Sequence, residues 1–291
     1  MITQTSPLTN DLMTAEHVRQ YWEEGYTIIR NVFSEAEIEQ IRTSCDKWKF
    51  MGELLGRHWR RQNTIIWVDE DPDVGKTVRG MQWPSYHDAV MDKFRTDPRL
   101  LMIIEPLIGS SVKQIINQVH WKRPGSKTSW ALHRDVRSRQ PSSSFKELYT
   151  SWVQTGIAID PHMKENGAMQ IVPGSHRDIE HDPDDRSAWM APQYAKDKRI
   201  KDVELEPGDV ALWSAYTVHG GGFNTTKHLD RRLYINGFIT AKNCTRGEWA
   251  WREGRTCGLF GEQALIQFEE VDEIRHAFYA SELNRKEMIR D

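Results

Sequence analysis

The stretch Trp130-Ala131-Leu132-His133-Arg134-Asp135 places a histidine and an aspartate two positions apart. In an extended chain this spacing puts both side chains on one face. An imidazole beside a carboxylate supplies two ligands of a facial 2-His-1-carboxylate metal site, and a distant histidine, His219, is the candidate for the third. Such a triad leaves three open positions on a non-haem Fe(II). The motif His-x-Asp is common by chance, so its meaning depends on the sequence around it.

The composition predicts a soluble, globular protein, because 38% of the 291 residues are hydrophobic and 28% are charged. The net charge of -3 and the lack of a long basic run argue against a nucleic-acid partner. No apolar stretch approaches the length of a membrane span, and residues 1–11 lack the basic start and apolar centre of a signal peptide. Three cysteines without CxxC spacing indicate reduced thiols, so we expect a cytoplasmic protein.

The first third of the chain is predicted to be mainly helical. After a disordered start over residues 1–11, Ser34-Glu35-Ala36-Glu37 forms a capping box that begins a helix. Residues 51–85 allow two interpretations, a loop-rich wall over a site or a surface segment. The other elements predicted here are a helix at Thr14–Glu24, a strand at Tyr26–Arg30, and short helices at Tyr86–Arg95 and Pro98–Ile108.

From Val112 onward the pattern changes to short strands separated by proline and glycine turns. Residues 178–200 are charged and contain prolines, which predicts a surface insertion, and Asp272–Met288 predicts a final helix. Nothing resembles a linker, so we expect one domain over residues 1–291. The order of elements indicates a mainly β barrel or sandwich with flanking α-helices. The predicted strands are Val112–Arg123, Tyr149–Asp160, Ala168–Val172, Val210–Trp213 and Arg231–Thr240.

Five pieces of this sequence, in order, resemble the phytanoyl-CoA dioxygenase-like (PhyH) family of Fe(II)/2-oxoglutarate-dependent oxygenases. Any one piece alone is a weak signal, but five in the right order are specific. The segment Gly25–Ser34 also looks like the family's opening strand, so the resemblance extends over most of residues 14–240. The five pieces are His133-Arg134-Asp135, ENGAMQIVPGSH at 165–176, LEPGDVALW at 205–213, HGGGFNTT at 219–226, and Arg231.

The resemblance implies a double-stranded β-helix, or cupin-like jelly roll, with Fe(II) at one mouth, 2-oxoglutarate as cosubstrate and O2 as oxidant. His133, Asp135 and His219 match the family's iron ligands, and Arg231 matches the arginine that grips the far carboxylate of 2-oxoglutarate. A planar guanidinium suits a carboxylate because it donates two parallel hydrogen bonds. The implied reaction is hydroxylation of an unactivated C–H bond of a small molecule, with release of succinate and CO2.

Strand register leaves two questions open. Arg231 is followed by Arg232, and neighbouring strand residues face opposite ways, so only one of them reaches the cosubstrate. The family pattern favours Arg231. Asn117, Val119 and Trp121 alternate on one face of the strand before the site, where they either line the cosubstrate pocket or pack in the core.

Three other residues are predicted to be structural. His176, in Pro-Gly-Ser-His, is characteristic of the family but does not match one of its iron ligands. Asp209, in Pro-Gly-Asp, is of the type that caps a turn. Cys45 shares a helix face with Ile38 and Ile41, which indicates a core residue.

The substrate class stays open at this point. Lys122, Arg123, Arg134, Arg137 and Arg139 lie close in sequence to the metal pair, which favours an anionic small molecule, and the same charges are as readily explained as solvated loop residues. The twelve tryptophans are compatible with an aromatic cage for a quaternary ammonium group. Two other classes are alternatives, a cupin-like metal-binding isomerase and a non-catalytic jelly-roll binding protein. The complete ligand set and the clamping arginine argue against both.

Overall fold

The computed structural model describes residues 9–138, 142–178, 199–262 and 289–290. Most of the predicted disordered start, most of the insertion at 178–200 and the helix at Asp272–Met288 lie outside these residues. The helices are α1 (Ala15–Glu24), α2 (Glu35–Leu55), α3 (Ala89–Arg95), α4 (Pro98–Ile108) and α5 (Leu148–Ser151). The strands are β1 (Tyr26–Ile29), β2 (Trp59–Arg61), β3 (Thr64–Asp71), β4 (Gly75–Gln82), β5 (Val112–Lys122), β6 (Trp130–His133), β7 (Trp152–Ala158), β8 (Met169–Ile171), β9 (Lys201–Val203), β10 (Val210–Ser214), β11 (His219–Gly221), β12 (Arg231–Thr240), β13 (Glu248–Arg252), β14 (Arg255–Thr256) and β15 (Ile289–Arg290).

In the described part of the chain the strands form two sheets. The larger sheet has eleven strands, with the path β1-β10-β7-β12-β5-β4-β3-β2-β15. Strand β13 also pairs with β5, and β14 pairs with β13. The smaller sheet has four strands in the order β6-β11-β8-β9. The pairs are antiparallel except for β15 with β2. This is the double-stranded β-helix, or jelly-roll, fold that the family resemblance implied.

Two hydrophobic cores lie on opposite faces of the larger sheet. The outer core joins this sheet to the helices, for example Ile38 and Leu100 with Tyr234. The inner core fills the space between the sheets, for example Leu233 with Ile171. Because residues along a strand alternate between faces, Leu233 and Tyr234 belong to different cores. Every residue of β12 therefore belongs either to the helix-covered face or to the interior of the jelly roll.

The helix boundaries follow the local signals in the sequence. The hydroxyl of Ser34 accepts a hydrogen bond from the Glu37 backbone N–H, and the Glu37 carboxylate accepts one from the Ser34 N–H at 2.9 Å. This reciprocal pair confirms the capping box. Helix α1 ends at Gly25, whose φ of 81° is a left-handed conformation that glycine adopts without steric cost.

Residues 51–85 are neither loop-rich nor merely a surface segment. They contain the end of α2 and then the strands β2, β3 and β4, which extend the larger sheet beyond β5. Residues 248–256, where no element was predicted, form the hairpin β13–β14. The predicted helix at Tyr86–Arg95 is shorter and begins at Ala89. Each of these segments derives its structure from pairing or packing with distant strands, which single-sequence periodicity does not register.

The three residues predicted to be structural have structural partners. Asp209 accepts hydrogen bonds from the backbone N–H groups of Asn31 and Glu206, at 2.8 Å and 2.9 Å. His176 contacts the carbonyl oxygen of Trp22 at 3.0 Å, and Cys45 is fully buried in the outer core. Within the described residues, every helix is too short or too polar to cross a lipid bilayer.

Candidate metal centre

Two histidines meet where β6 pairs with β11. His133 and His219 are direct cross-strand partners, and their ring centroids are 4.3 Å apart. Side chains of directly opposed residues lie on the same face of a sheet. The pairing therefore brings together two imidazoles that are far apart in sequence.

Asp135 reaches the same point from a turn rather than from a strand. Strand β6 ends at His133, and Asp135 begins a 3-10 helix. Between them, the buried Arg134 donates to the carbonyl oxygen of Ser175 at 3.0 Å. The prediction that His133 and Asp135 lie together holds, but the reason is a turn around an anchored arginine and not strand alternation.

The distances among the three side chains suit a shared metal ion. Nε2 of His133 is 3.7 Å from Oδ1 of Asp135, and Nε2 of His219 is 3.5 Å from Oδ2. These separations are longer than normal hydrogen bonds. They are what two atoms show when each lies roughly 2 Å from one ion between them. One ligand atom from each of the three residues lies within 4.8 Å of the others.

Hydrogen bonds to the backbone orient both imidazole rings. Nδ1 of His133 is 2.8 Å from the carbonyl oxygen of Ala131, and Nδ1 of His219 is 3.0 Å from that of Thr217. A carbonyl oxygen only accepts, so Nδ1 carries the proton in each ring and Nε2 presents its lone pair toward Asp135. Metal-binding histidines are typically held in this way.

The carboxylate of Asp135 is held by two neutral donors. Nε2 of Gln154 donates to Oδ2 at 2.8 Å, and the indole N–H of Trp213 donates to the same oxygen at 3.1 Å. Burial raises the pKa of Asp135. The charges that His219 and His133 carry when protonated, together with these two hydrogen bonds, outweigh burial and lower the pKa to about 2. The sequence contained no signal for Gln154, because its role depends on β7 lying beside β10.

Two basic side chains are buried on the interior face of the neighbouring strands β5 and β12. Arg231 and Lys122 are direct cross-strand partners. Nε and Nη2 of Arg231 donate to the carbonyl oxygen of Gly167 at 3.2 Å and 3.0 Å, and Nζ of Lys122 donates to it at 2.9 Å and also to that of Gly222. Burial lowers the pKa of Arg231 to about 10. Burial and then the charge of Arg231 lower the pKa of Lys122 to about 5.

The residue that supplies the shared acceptor, Gly167, must be a glycine. Gly167 has a φ of 75°, and a Cβ atom at this position would lie 2.6 Å from the carbonyl oxygen of Gly222. Both the backbone conformation and the space exclude a larger residue. The glycine of the Glu-Asn-Gly sequence motif thus positions the carbonyl oxygen that holds Arg231 and Lys122.

Arg232 faces away from the metal centre. Its Nη2 is 2.7 Å from Oδ1 of Asp160, and its Nη1 is 2.9 Å from Oδ1 of Asp46 on helix α2. Burial lowers the pKa of Arg232, and the hydrogen bond and charge of Asp160 outweigh it and raise the pKa above its usual value. Of the two consecutive arginines, Arg231 is the one on the interior face.

Asn117, Val119 and Trp121 also lie on the outer face, which agrees with core packing, one of the two alternatives that the sequence left open. Trp121 is the cross-strand partner of Arg232, and Val119 is the partner of Tyr234. Val119 and Trp121 belong to the helix-side core, and Asn117 donates to the Tyr234 hydroxyl at 2.7 Å. Lys122 follows Trp121 directly and therefore faces the opposite, interior side of β5.

Sequence comparison identifies the family to which this architecture belongs. Residues 21–233 match the family model described as phytanoyl-CoA dioxygenase (PhyH). The chain is 23% identical over 288 residues to the peroxisomal phytanoyl-CoA dioxygenase of Homo sapiens, covering 94% of this chain and 79% of the human protein. It is also 23% identical to the probable alpha-ketoglutarate-dependent hypophosphite dioxygenase of Stutzerimonas stutzeri, covering 79% of each chain.

Comparison with solved structures supports the same fold. The structure of the non-heme alpha-ketoglutarate-dependent carbocyclase SnoK from nogalamycin biosynthesis superimposes with a TM-score of 0.64 at 22% identity. The match covers 89% of this chain and 97% of SnoK. Because the family match spans most of the chain, the protein belongs to the phytanoyl-CoA dioxygenase family of Fe(II)/2-oxoglutarate-dependent dioxygenases.

Proposed function

We propose that His133, Asp135 and His219 bind Fe(II), and that the enzyme hydroxylates a C–H bond of a small molecule. The observation that carries this proposal is the convergence of two Nε2 atoms and one carboxylate within a space suited to a single ion. Two neutral imidazoles and one carboxylate are the ligand set of non-haem Fe(II) oxygenases. Bound Fe(II) supplies O2 activation, coupling the decarboxylation of 2-oxoglutarate to succinate and CO2 with oxidation of the substrate.

The residues of the chain contribute orientation and charge. The carbonyl oxygens of Ala131 and Thr217 fix the ring orientation of the two histidines, so that little rearrangement is needed to bind the ion. Gln154 and Trp213 hold Oδ2 of Asp135. The hydrogen bonds from Gln154 and Trp213 favour the ionised form of Asp135, which a metal ligand requires.

Arg231 and Lys122 are proposed to bind the far carboxylate of 2-oxoglutarate. Within the described residues, the hydrogen bonds of both side chains run to backbone carbonyl oxygens, not to carboxylates. A buried guanidinium without a carboxylate partner is costly, and a bound dicarboxylate offsets that cost. The planar guanidinium provides the geometry for two parallel hydrogen bonds, and the ammonium provides a second charge.

The wider setting of the enzyme is proposed from the relatives and the cysteines. The Stutzerimonas relative is named for hypophosphite, a small anion, which supports a small-molecule substrate. Cys45, Cys244 and Cys257 are thiols and not disulfides, which fits a reducing compartment such as the cytoplasm. We infer a single domain over residues 1–291.

Anaerobic titration with Fe(II) and then 2-oxoglutarate tests the proposal. The expected result is the weak visible charge-transfer band of an iron-chelated keto acid, followed by succinate release in air. The variant His219→Ala is expected to lose iron binding and the band, because only two ligands remain. The matched control is His228→Ala, the same change at an exposed position between β11 and β12, which keeps both.

Two outcomes contradict the proposal. Full activity in folded His219→Ala means that the assigned triad is wrong. No band in folded, iron-loaded wild-type protein means that 2-oxoglutarate is not chelated, and the cupin-like alternative then describes the site better.

A further inference from the structure

A β-bulge turns Trp130 toward the metal centre. In the pairing of β6 with β11, His133 lies opposite His219 and Trp130 lies opposite Gly221, with a register shift between the two pairs. His219 and Gly221 are two residues apart on β11 and therefore share a face. Their partners share that face too, although three residues separate Trp130 from His133. The extra residue of the bulge thus places the indole of Trp130 on the same side as the proposed iron ligands.

The indole of Trp130 contacts side chains from the larger sheet. The guanidinium carbon of Arg79, on β4, lies 4.1 Å from a ring centroid of Trp130. The imidazole of His120, on β5, stacks on the same side chain with 4.3 Å between centroids and 11° between planes. Strand β6 is the edge strand of the smaller sheet, so these contacts form a corner between the two sheets beside His133.

This corner lies within the electrostatic reach of the metal centre. Burial holds the pKa of His120 well below its usual value, and the charges of Arg231, Arg79, Asp135 and His133 all act on it. His120 therefore interacts electrostatically with the proposed cosubstrate clamp, the proposed iron ligands and Arg79. Arg79 contacts Trp130, which is on the same strand, β6, as the proposed iron ligand His133.

Contacts on both sides restrain Arg79, but several of its N–H donors have no hydrogen-bond acceptor in the described part of the chain. Nη1 contacts one carboxylate, Oδ2 of Asp69, at 3.3 Å, and the side chain is 22% exposed. Of the five N–H donors of a guanidinium, most therefore remain for another acceptor. Nε of Arg79 and the indole N–H of Trp130 are buried without a hydrogen-bond acceptor among the described residues. Stacking on an aromatic ring restrains the guanidinium plane and so favours bidentate recognition of an oxyanion.

We propose that Arg79, held against Trp130, binds an oxyanion group of the substrate, either a carboxylate or a phosphate-type group. The inference rests on the proposed function and adds to it the substrate class, a small organic anion. Because Arg79 and His120 already stack on the indole of Trp130, this ring is not available to bind a quaternary ammonium group. Two basic residues near the motif have other roles, since Arg123 pairs with Glu53 at 3.1 Å and Arg134 binds the Ser175 carbonyl oxygen.

Calorimetric titration of the anaerobic Fe(II)/2-oxoglutarate complex tests the proposal. The probes are propylphosphonate, hexylphosphonate and hexanoate, with hexanol as the neutral comparison. At least one anion is expected to bind while hexanol does not. Arg79→Gln should weaken that binding by at least about 10-fold, the effect of losing one charge-assisted contact. Arg79→Lys should retain part of the affinity, because lysine keeps the positive charge but lacks the planar pair of N–H donors of a guanidinium.

The matched control is Arg123→Gln. Arg123 has similar exposure and one carboxylate partner, but that partner, Glu53, is on helix α2. Anion affinity in this variant should equal that of the wild type. Asp69→Asn should tighten anion binding, because it removes the competing carboxylate from Arg79. If the Arg79–Asp69 ion pair were purely structural, Arg79→Gln and Asp69→Asn would instead change the anion affinity in the same direction.

The failures of the two proposals are distinguishable. A wild-type protein without the keto-acid band overturns the proposed function. A wild-type protein that shows the band but binds none of the anions, or binds them equally in Arg79→Gln, overturns the inference about Arg79 alone. Preferential binding of hexanol over the anions also overturns it.

Discussion

Arg231 and Arg232 are consecutive, and both are almost fully buried, with 3% and 6% of their surface exposed. Their environments are nevertheless opposite. Arg232 lies on the helix-covered face and is paired with Asp160 and Asp46. Arg231 lies on the interior face, where its hydrogen bonds run to the carbonyl oxygen of Gly167. The pKa of Arg232 is raised, whereas that of Arg231 is lowered to about 10.

The comparison separates residues that stabilise this protein from residues that are proposed to bind ligands. On the outer face of β5 and β12, Arg232 has two counter-charges and Asn117 has a hydrogen-bond partner in Tyr234. On the inner face the Arg231 guanidinium and the Lys122 amine lie side by side and donate to carbonyl oxygens. A buried charge without a counter-ion lowers stability, so its presence points to a ligand of opposite charge.

The sharpest way to break this comparison is to replace each arginine by methionine. Arg232→Met leaves the buried Asp160 without its main partner and is expected to lower the free energy of unfolding by about 3–5 kcal/mol. Arg231→Met is expected to retain stability and to weaken 2-oxoglutarate binding by about 100-fold, from the loss of a bidentate charge-assisted contact. Denaturant unfolding and the anaerobic band titration measure the two effects. Equal losses of stability in both variants would end the distinction between the faces.

A smaller effect is expected from exchanging amides for leucine on the two faces. Gln154→Leu removes one of the donors to Asp135 and should lower Fe(II) affinity by about 10- to 100-fold, with little change in stability. Asn117→Leu should lower the free energy of unfolding by about 1–3 kcal/mol, because the buried Tyr234 hydroxyl loses a partner. Its Fe(II) affinity should match the wild type. Metal titration and urea unfolding of both variants measure these effects. A loss of Fe(II) affinity in Asn117→Leu would contradict the distinction between the two faces.

The smallest expected effect is a pH dependence from Lys122. In the free protein its pKa is about 5, so the amine is neutral at pH 7. A bound carboxylate favours the ammonium form, so 2-oxoglutarate binding takes up a proton and its affinity falls as pH rises, by at most about 10-fold per pH unit. Calorimetry between pH 6 and 8 in buffers of different ionisation enthalpy measures this uptake. Lys122→Met should abolish it, and unchanged uptake in that variant would assign the proton to another group.

Local signals in the sequence were sufficient for several elements. The capping box at Ser34 and the glycine that ends α1 depend on neighbours within one helical turn, so they can be recognised without the fold. The proximity of His133, Asp135 and His219 was also predicted, because the family motifs preserve their order. The reason offered for the first pair was incomplete, since Asp135 lies in a 3-10 turn beyond the end of β6.

Other features depend on contacts that the sequence does not encode locally. The strands β2–β4 have weak periodicity and are stabilised by pairing, β2 with β3, β3 with β4 and β4 with β5. The sequence left open which face of β5 carries Trp121, because that choice depends on the register of β5 to β12. A shift of one residue reverses every side chain of a strand, so periodicity alone cannot decide which face is interior.

The sequence by itself determined the family, the metal-binding triad as a prediction, the helix caps and the two candidate arginines. Only the tertiary structure decided that Arg231 faces the interior, that Lys122 is beside it, and that Arg79 from residues 51–85 contacts Trp130. The physical reason is that motifs and caps act over a few residues of chain. Register, bulges and the choice of face are decided by pairing and packing between segments brought together only when both sheets form.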